Sequence, residues 1–280
     1  MNSVFDFNRW ILYTSKHWNE NKKRYLLSLG AIGGLLILWY SFLIIVTRDN
    51  PVGENMQMVT YYVGLYLTGS LYASLMFADL NEGATAIHFL LIPASTFEKL
   101  LTALLFSFIL FFVSYTVVYY VVDYAMVKWV SAIAAEAGHY TKPNFGLTAK
   151  VVNVFVAPPG MGGDDNFYIY FLLAYVGVHA AFLLGSVYFV KYNFIKTVVS
   201  VLVIFLFFVF FVHKVIDFIP NGGFFEPFSV FRVYNGEKGD FAIRLPEWLN
   251  IISLFLFKYS MAPVLWVATY FRLKEKEVNA

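Results

Sequence analysis

The 280-residue chain contains no cysteine, which excludes disulfide bridges, thiolate metal sites and a cysteine nucleophile but does not fix a compartment. Charge is also scarce. Only 14% of the residues are Asp, Glu, Lys or Arg, against roughly 25% in a soluble domain, so much of the surface must face something other than water. The net charge of +2 sits in short basic clusters and leaves nucleic acid no electrostatic footprint to bind. Three catalytic signatures are missing as well. There is no HExxH zinc motif, no GxSxG nucleophile elbow and no GxxxxGK[ST] phosphate loop, so the chain cannot hydrolyse ATP by the phosphate-loop route alone. Any ATP dependence must come from a partner. His17, His88, His139, His179 and His213 are scattered without carboxylates at ligand spacing, so no metal centre is expected. Asp164 and Asp165 lie in a glycine-rich turn, and two carboxylates are too few to specify calcium.

What the chain has in abundance is apolar side chains, with 60% of residues hydrophobic and 20% aromatic. About 20 apolar residues are needed for a helix to cross a bilayer. Runs near that length fall at 25–46, 59–77, 100–122, 167–190, 197–212 and 249–271. The expected fold is an all-α polytopic membrane protein, one transmembrane domain over 1–280. The first run follows Lys22, Lys23 and Arg24 and is too long for a signal-peptide core, so a retained span is expected. Basic residues cluster before it and again at Arg272, Lys274 and Lys276. By the positive-inside rule both termini lie in the cytoplasm.

Ahead of the first span, Phe7, Trp10, Ile11, Thr14 and Trp18 share one helical face while Arg9, Lys16 and Glu20 share the other. That pattern predicts a helix over 5–20 lying in the membrane interface, with packing on a partner protein as the other reading. Two long segments, 123–166 and 213–248, fall outside the cell's interior. In the second, Phe231, Val233, Phe241 and Ile243 alternate with polar residues around Asn235-Gly236, which predicts hairpin strands in a small extracytoplasmic cap.

Ionisable residues inside spans are costly in hydrocarbon and are functional candidates for that reason. His179 in the fourth span and Lys258 in the sixth qualify. A packed neutral histidine and a snorkelling lysine are the structural alternatives.

The stretch between spans two and three, 79–99, is the most informative. Pro93 breaks the chain, and Ser95 with Glu98 three residues on makes a capping box that restarts the third span. Before it, Ile87 to Ile92 is too short to cross a membrane and too apolar to be merely solvated. Such a segment suits docking on a soluble partner, or packing on its own bundle.

The runs Leu91-Ile92-Pro93-Ala94-Ser95-Thr96-Phe97-Glu98-Lys99 and Tyr270-Phe271-Arg272-Leu273-Lys274-Glu275-Lys276-Glu277-Val278 resemble signatures of half-size ABC-2 type permeases, a group of bacterial ABC transporter subunits. The layout of an interfacial helix, six spans and a cytoplasmic element between spans two and three is similar to theirs. The resemblance implies a permease in the bacterial inner membrane, an exporter subunit that pairs with a copy of itself or a second permease. It also implies two copies of a separate ATPase, which would carry ATP and magnesium; no cofactor is implied on this chain. By position, the resemblance assigns ATPase coupling to Asp79, Asn81, Glu82, Gly83, Ile87 and His88. The hairpin-like cap departs from the short re-entrant helices usual before the last span of that group. A membrane scaffold or assembly factor that binds a partner through the same loop is the alternative, and an intramembrane enzyme or ion-coupled carrier would carry more buried charge. Aromatic runs such as Tyr61, Tyr62, Tyr66 and Tyr72, or Phe205 to Phe211, suit lipid-like cargo, although a Phe facing lipid is commoner.

Overall fold

The computed structural model describes residues 4–46, 52–81, 83–137, 150–156, 167–217, 225–226, 230–233, 241–244 and 246–278. Glu82 and the turn runs at 157–165, 221–223 and 235–236 lie outside them, as do the side chains of Asn81 and His88.

The first helix, α1 (Phe7–Val46), is unbroken. Asp6 starts it by accepting the amides of Asn8 and Arg9 at 2.9 and 3.2 Å, an N-cap. Between Glu20 and Tyr25 stand only Asn21, Lys22, Lys23 and Arg24, with neither Gly nor Pro to stop the helix. At 1.5 Å per residue it is about 60 Å long, twice the hydrocarbon thickness. The separate interfacial helix expected over 5–20 is therefore a continuation of the first span.

Next come α2 (Glu54–Leu75), a 3-10 turn (Ala78–Asn81) and the short α3 (Gly83–Leu91). After the bend at Pro93, α4 (Thr96–Leu104), a π-helical segment (Leu105–Leu110) and α5 (Phe111–Ala137) follow without interruption as one rod. Then come α6 (Phe167–Tyr188) and α7 (Asn193–Asp217), joined by a turn in which Tyr192 takes the left-handed conformation, φ 56°. Last are α8 (Glu247–Tyr259) and α9 (Met261–Val278), bent by 49° at their junction. Pro263 sits in the first turn of α9, where its missing N–H costs no helical bond. Among the described residues five helices are long and apolar enough to cross a membrane, and six if the bent α8–α9 pair is one span.

Between α7 and α8, β1 (Phe225–Glu226), β2 (Val230–Val233) and β3 (Phe241–Arg244) form an antiparallel sheet in that order. Phe231 pairs with Ile243 and Val233 with Phe241, the alternating residues of the predicted hairpin.

In the bundle α2 packs on α6, α6 on α9 and α7, and α1 on α5. A buried hydroxyl without an acceptor is costly, and four tyrosines find theirs on backbone carbonyls of neighbouring segments. Tyr115 donates to the carbonyl of Tyr61 at 2.8 Å, Tyr119 to that of Gln57 at 2.8 Å, Tyr62 to that of Val154 at 2.9 Å and Tyr66 to that of Phe171 at 2.6 Å. Tyr62 and Tyr66 of α2 thus pin the core. Gly64 lets Tyr115 in, since a Cβ there would stand 2.3 Å from its hydroxyl. By contrast the Phe205 to Phe211 face of α7 is exposed on all sides.

Candidate functional site

The sequence Ser95-Thr96-Phe97-Glu98-Lys99 folds inside out: Thr96, Glu98 and Lys99 are buried while Phe97 is exposed. Ser95 caps α4, accepting the Glu98 amide at 3.2 Å while the Glu98 carboxylate accepts the Ser95 amide at 2.9 Å. Ser95 also donates to the carbonyl of Val4 at 2.6 Å. The capping box therefore anchors the start of α1 as well as its own helix.

Glu98 has no accessible side-chain surface, yet it lacks no partner. Arg9 grips it with two donors at 2.7 Å each, and the Asp6 amide adds a third bond at 2.8 Å. Burial alone would raise its pKa, but the bonds from Arg9, Asp6 and Ser95 outweigh burial and hold it down at about 2. The N-terminus of α4 favours the same negative charge.

Lys99 points the other way. Its ammonium donates to Glu277 at 2.9 Å with 1% of the lysine side chain exposed, and Thr96 donates to the second oxygen of the same carboxylate. The ammonium also lies 5.0 Å from the centre of the Phe89 ring, a cation–π contact with α3. One helical turn thus fastens the beginning of α1, the end of α9 and the flank of α3. The two runs that carry the permease resemblance, 91–99 and 270–278, touch each other here.

Of the sequence-derived coupling residues, Asp79 is exposed on the 3-10 turn and its carbonyl accepts a bond from Thr85 of α3 at 3.0 Å. Gly83 begins α3. Ile87 and Leu91 are 61% and 76% exposed and, four apart, stack on one face. A cavity of about 180 Å³ beneath α3 is lined by Tyr13, His17, Glu20, Asp79, Thr85 and Lys99 among others. Burial pushes the His17 imidazole pKa down. Asn81 closes the 3-10 turn; the side chains of Asn81 and His88, and Glu82 altogether, lie outside the described residues.

The two intramembrane candidates are elsewhere. His179 is buried on α6 with Nε2 3.1 Å from Ser107 Oγ, in the π-helical segment. Ser107 gives its own hydrogen to the Ala103 carbonyl at 2.7 Å, so His179 donates from Nε2 and its Nδ1 has no partner. Lys258 is half-buried, 3.3 Å from the Tyr170 hydroxyl and 4.8 Å from that ring's centre. The structure does not bring them together with each other or with the α3 junction.

Sequence reasoning missed Arg9, Lys99 and Glu277, whose partners are 89 and 178 residues away. It also missed Asp123, fully buried and bonded to the Tyr40 hydroxyl at 2.7 Å. Its only sequence signal is a lone acid at the end of an apolar run. Among the described residues no group of three His, Asp or Glu could hold a metal. The site is a mechanical junction in which Arg9, Glu98, Lys99 and Glu277 are already paired.

No family model, no curated protein and no solved structure matches the chain.

Proposed function

We propose that this chain is the transmembrane permease subunit of an ABC-2 type exporter, driven by a separate ATPase that docks on α3 from the cytoplasm. The observation that carries the reading is the exposed Ile87 and Leu91 face of a short helix whose root is tied into the bundle. An exposed apolar face at the end of a membrane bundle suits a protein partner. In this reading the chain lies in the bacterial inner membrane with both termini cytoplasmic, and the three-stranded sheet is the extracytoplasmic cap. It works as a pair, with α7 as a surface for lipid or for the second permease.

Force on α3 has two routes inward. One runs through the 3-10 turn into α2, which packs on α6. The other runs from Phe89 to Lys99 and so to α4, α9 and, through the adjacent Glu98, α1. Closure of the ATPase pair on ATP would pull α3 and rock α1, α4 and α9 as one body. A scaffold that binds a partner through α3 without ATP coupling is the competing reading, supported by the same exposed face.

Purification of the tagged chain in mild detergent, with mass spectrometry of what accompanies it, separates the two. A phosphate-loop ATPase in stoichiometric amount, lost or uncoupled in Glu82→Lys, supports the permease. A well-folded sample that brings no ATPase contradicts it and leaves the scaffold.

A further inference from the structure

Between α1 and α2, beside the junction, runs a slot of about 290 Å³, just below the roughly 300–1,000 Å³ typical of ligand pockets. Its wall changes character along its length. His17, Asn21, Arg24 and Asp79 line its polar end, Leu75 and Leu71 the stretch of α2 that follows, and Ile32 and Leu35 with Thr68 the far end, an order set by the antiparallel pairing of Ser28 with Tyr72 and of Trp39 with Thr60. From Arg24 to Leu35 the helix rises about 16 Å, the depth of half a bilayer. The polar end therefore lies at the edge of the apolar part of α1 and the other end well inside it.

Arg24 and Asp79 line this polar end, and among the described residues neither side chain makes an ion pair or a hydrogen bond. Two opposite charges that stay unpaired at the mouth of an apolar slot set the chemistry of a complementary ligand. A purely anionic head would suit Arg24 but stand against the like charge of Asp79. A neutral alcohol would answer neither. A head group with a phosphate and a free amine answers both, because a guanidinium matches phosphate with paired donors and an ammonium matches a carboxylate. His17, already 2.6 Å from the Tyr25 hydroxyl, adds no competing cation near neutral pH, since burial lowers its pKa.

We propose that the slot binds one zwitterionic aminophospholipid, with its phosphate on Arg24, its ammonium on Asp79 and an acyl chain along Ile32, Leu35, Leu71 and Leu75. His17, Asn21, Met76 and Asp79 line both this slot and the cavity beneath α3. A bound amine thus sits against the turn from which α3 is hung, and occupancy steadies that turn. The site depends on the bundle lying in a bilayer and not on the ATPase.

Native mass spectrometry of the delipidated full chain, titrated with phosphatidylethanolamine, phosphatidylglycerol and diacylglycerol of matched acyl chains, tests it. One phosphatidylethanolamine per chain is expected, bound about tenfold more tightly than phosphatidylglycerol, the scale of one charge-assisted contact. Arg24→Gln weakens both phospholipids about tenfold, and Asp79→Asn erases the preference between them. Ala31→Trp, at an exposed position lining the slot and away from both charges, blocks all three and keeps the test decisive where a charge variant folds poorly. Equal binding of the three lipids to the wild type, or undiminished phosphatidylethanolamine binding by Ala31→Trp, overturns the proposal. Absence of an ATPase partner leaves these outcomes unchanged, so the two readings fail separately.

Discussion

Arg9 meets Glu98 with both prongs of its guanidinium, Nε on Oε2 and Nη2 on Oε1, each at 2.7 Å. The acid is fully buried and the arginine 36% exposed. A surface arginine therefore reaches down to a buried carboxylate, and the desolvation cost falls on one ion rather than two. That cost is offset by the two backbone amides that complete the acid's shell. Glu98 thus ties the start of α1 to α4, alongside the bonds of Ser95 to Val4 and of Trp10 to Thr102.

The contact has a pH signature. The folded-state pKa of Glu98 is held at about 2 against an ordinary 4.5, so its contribution is complete above the ordinary value and is lost as pH falls toward the folded one. Thermal unfolding of wild type and Glu98→Gln in one detergent should show a Tm gap on the order of 5 °C that is constant near neutral pH. The gap should close progressively below about pH 4.5. A gap that persists unchanged in acid would mean that the carboxylate charge is not what holds the helix.

Lys99 and Glu277 form the second tie. With Lys99 sealed, Glu277→Gln leaves an ammonium without its counter-ion, at a cost on the order of 3 kcal/mol. Replacing both residues by methionine is expected to cost less than Glu277→Gln alone. Limited proteolysis should cut the C-terminal helix faster in the single variant than in the double one. Equal protection in all three forms would show that α9 is held by its apolar face.

The legible parts of this chain were those set by local pattern. Apolar length marked the long helices, Ser95 and Glu98 marked the start of α4, and alternation marked the β2–β3 hairpin. Amphipathic periodicity before Tyr25 suggests a separate helix, because periodicity carries no information on whether the backbone bends between two helical stretches. The functions of Glu98 and Lys99 were hidden for another reason. Three-residue spacing reveals the bond from Glu98 to Ser95, but nothing local reveals an arginine 89 residues earlier or a glutamate 178 residues later. Asp123 escaped because the apolar run ends at Val122, and a charge just past a span reads as solvated; packing of Tyr40 against it is a property of the bundle.

Packing of α7 rests on a close approach. A Cβ at Gly185 would stand 1.9 Å from Thr197 Oγ1, so Gly185→Val must push α7 off α6. Lower yield and a reduced Tm in detergent are expected, with partial recovery in Gly185→Val combined with Thr197→Gly. Normal stability of the single variant would show that α7 is free to shift.

Lys258 tests the cost of an intramembrane cation. It lies half-buried on the Tyr170 ring, where cation–π attraction is worth about 1 kcal/mol. Lys258→Met is expected to change Tm by no more than a few degrees and to leave partner binding intact. A collapse of stability would assign the lysine a structural partnership beyond Tyr170.

The most direct measurement places a photo-reactive amino acid at Ile87, on the exposed face of α3, and irradiates intact cells. The coupling account predicts a cross-link to a phosphate-loop ATPase, absent when the reactive group is placed at the buried Leu80. Cross-links from position 87 only to lipid or to the chain itself would contradict it.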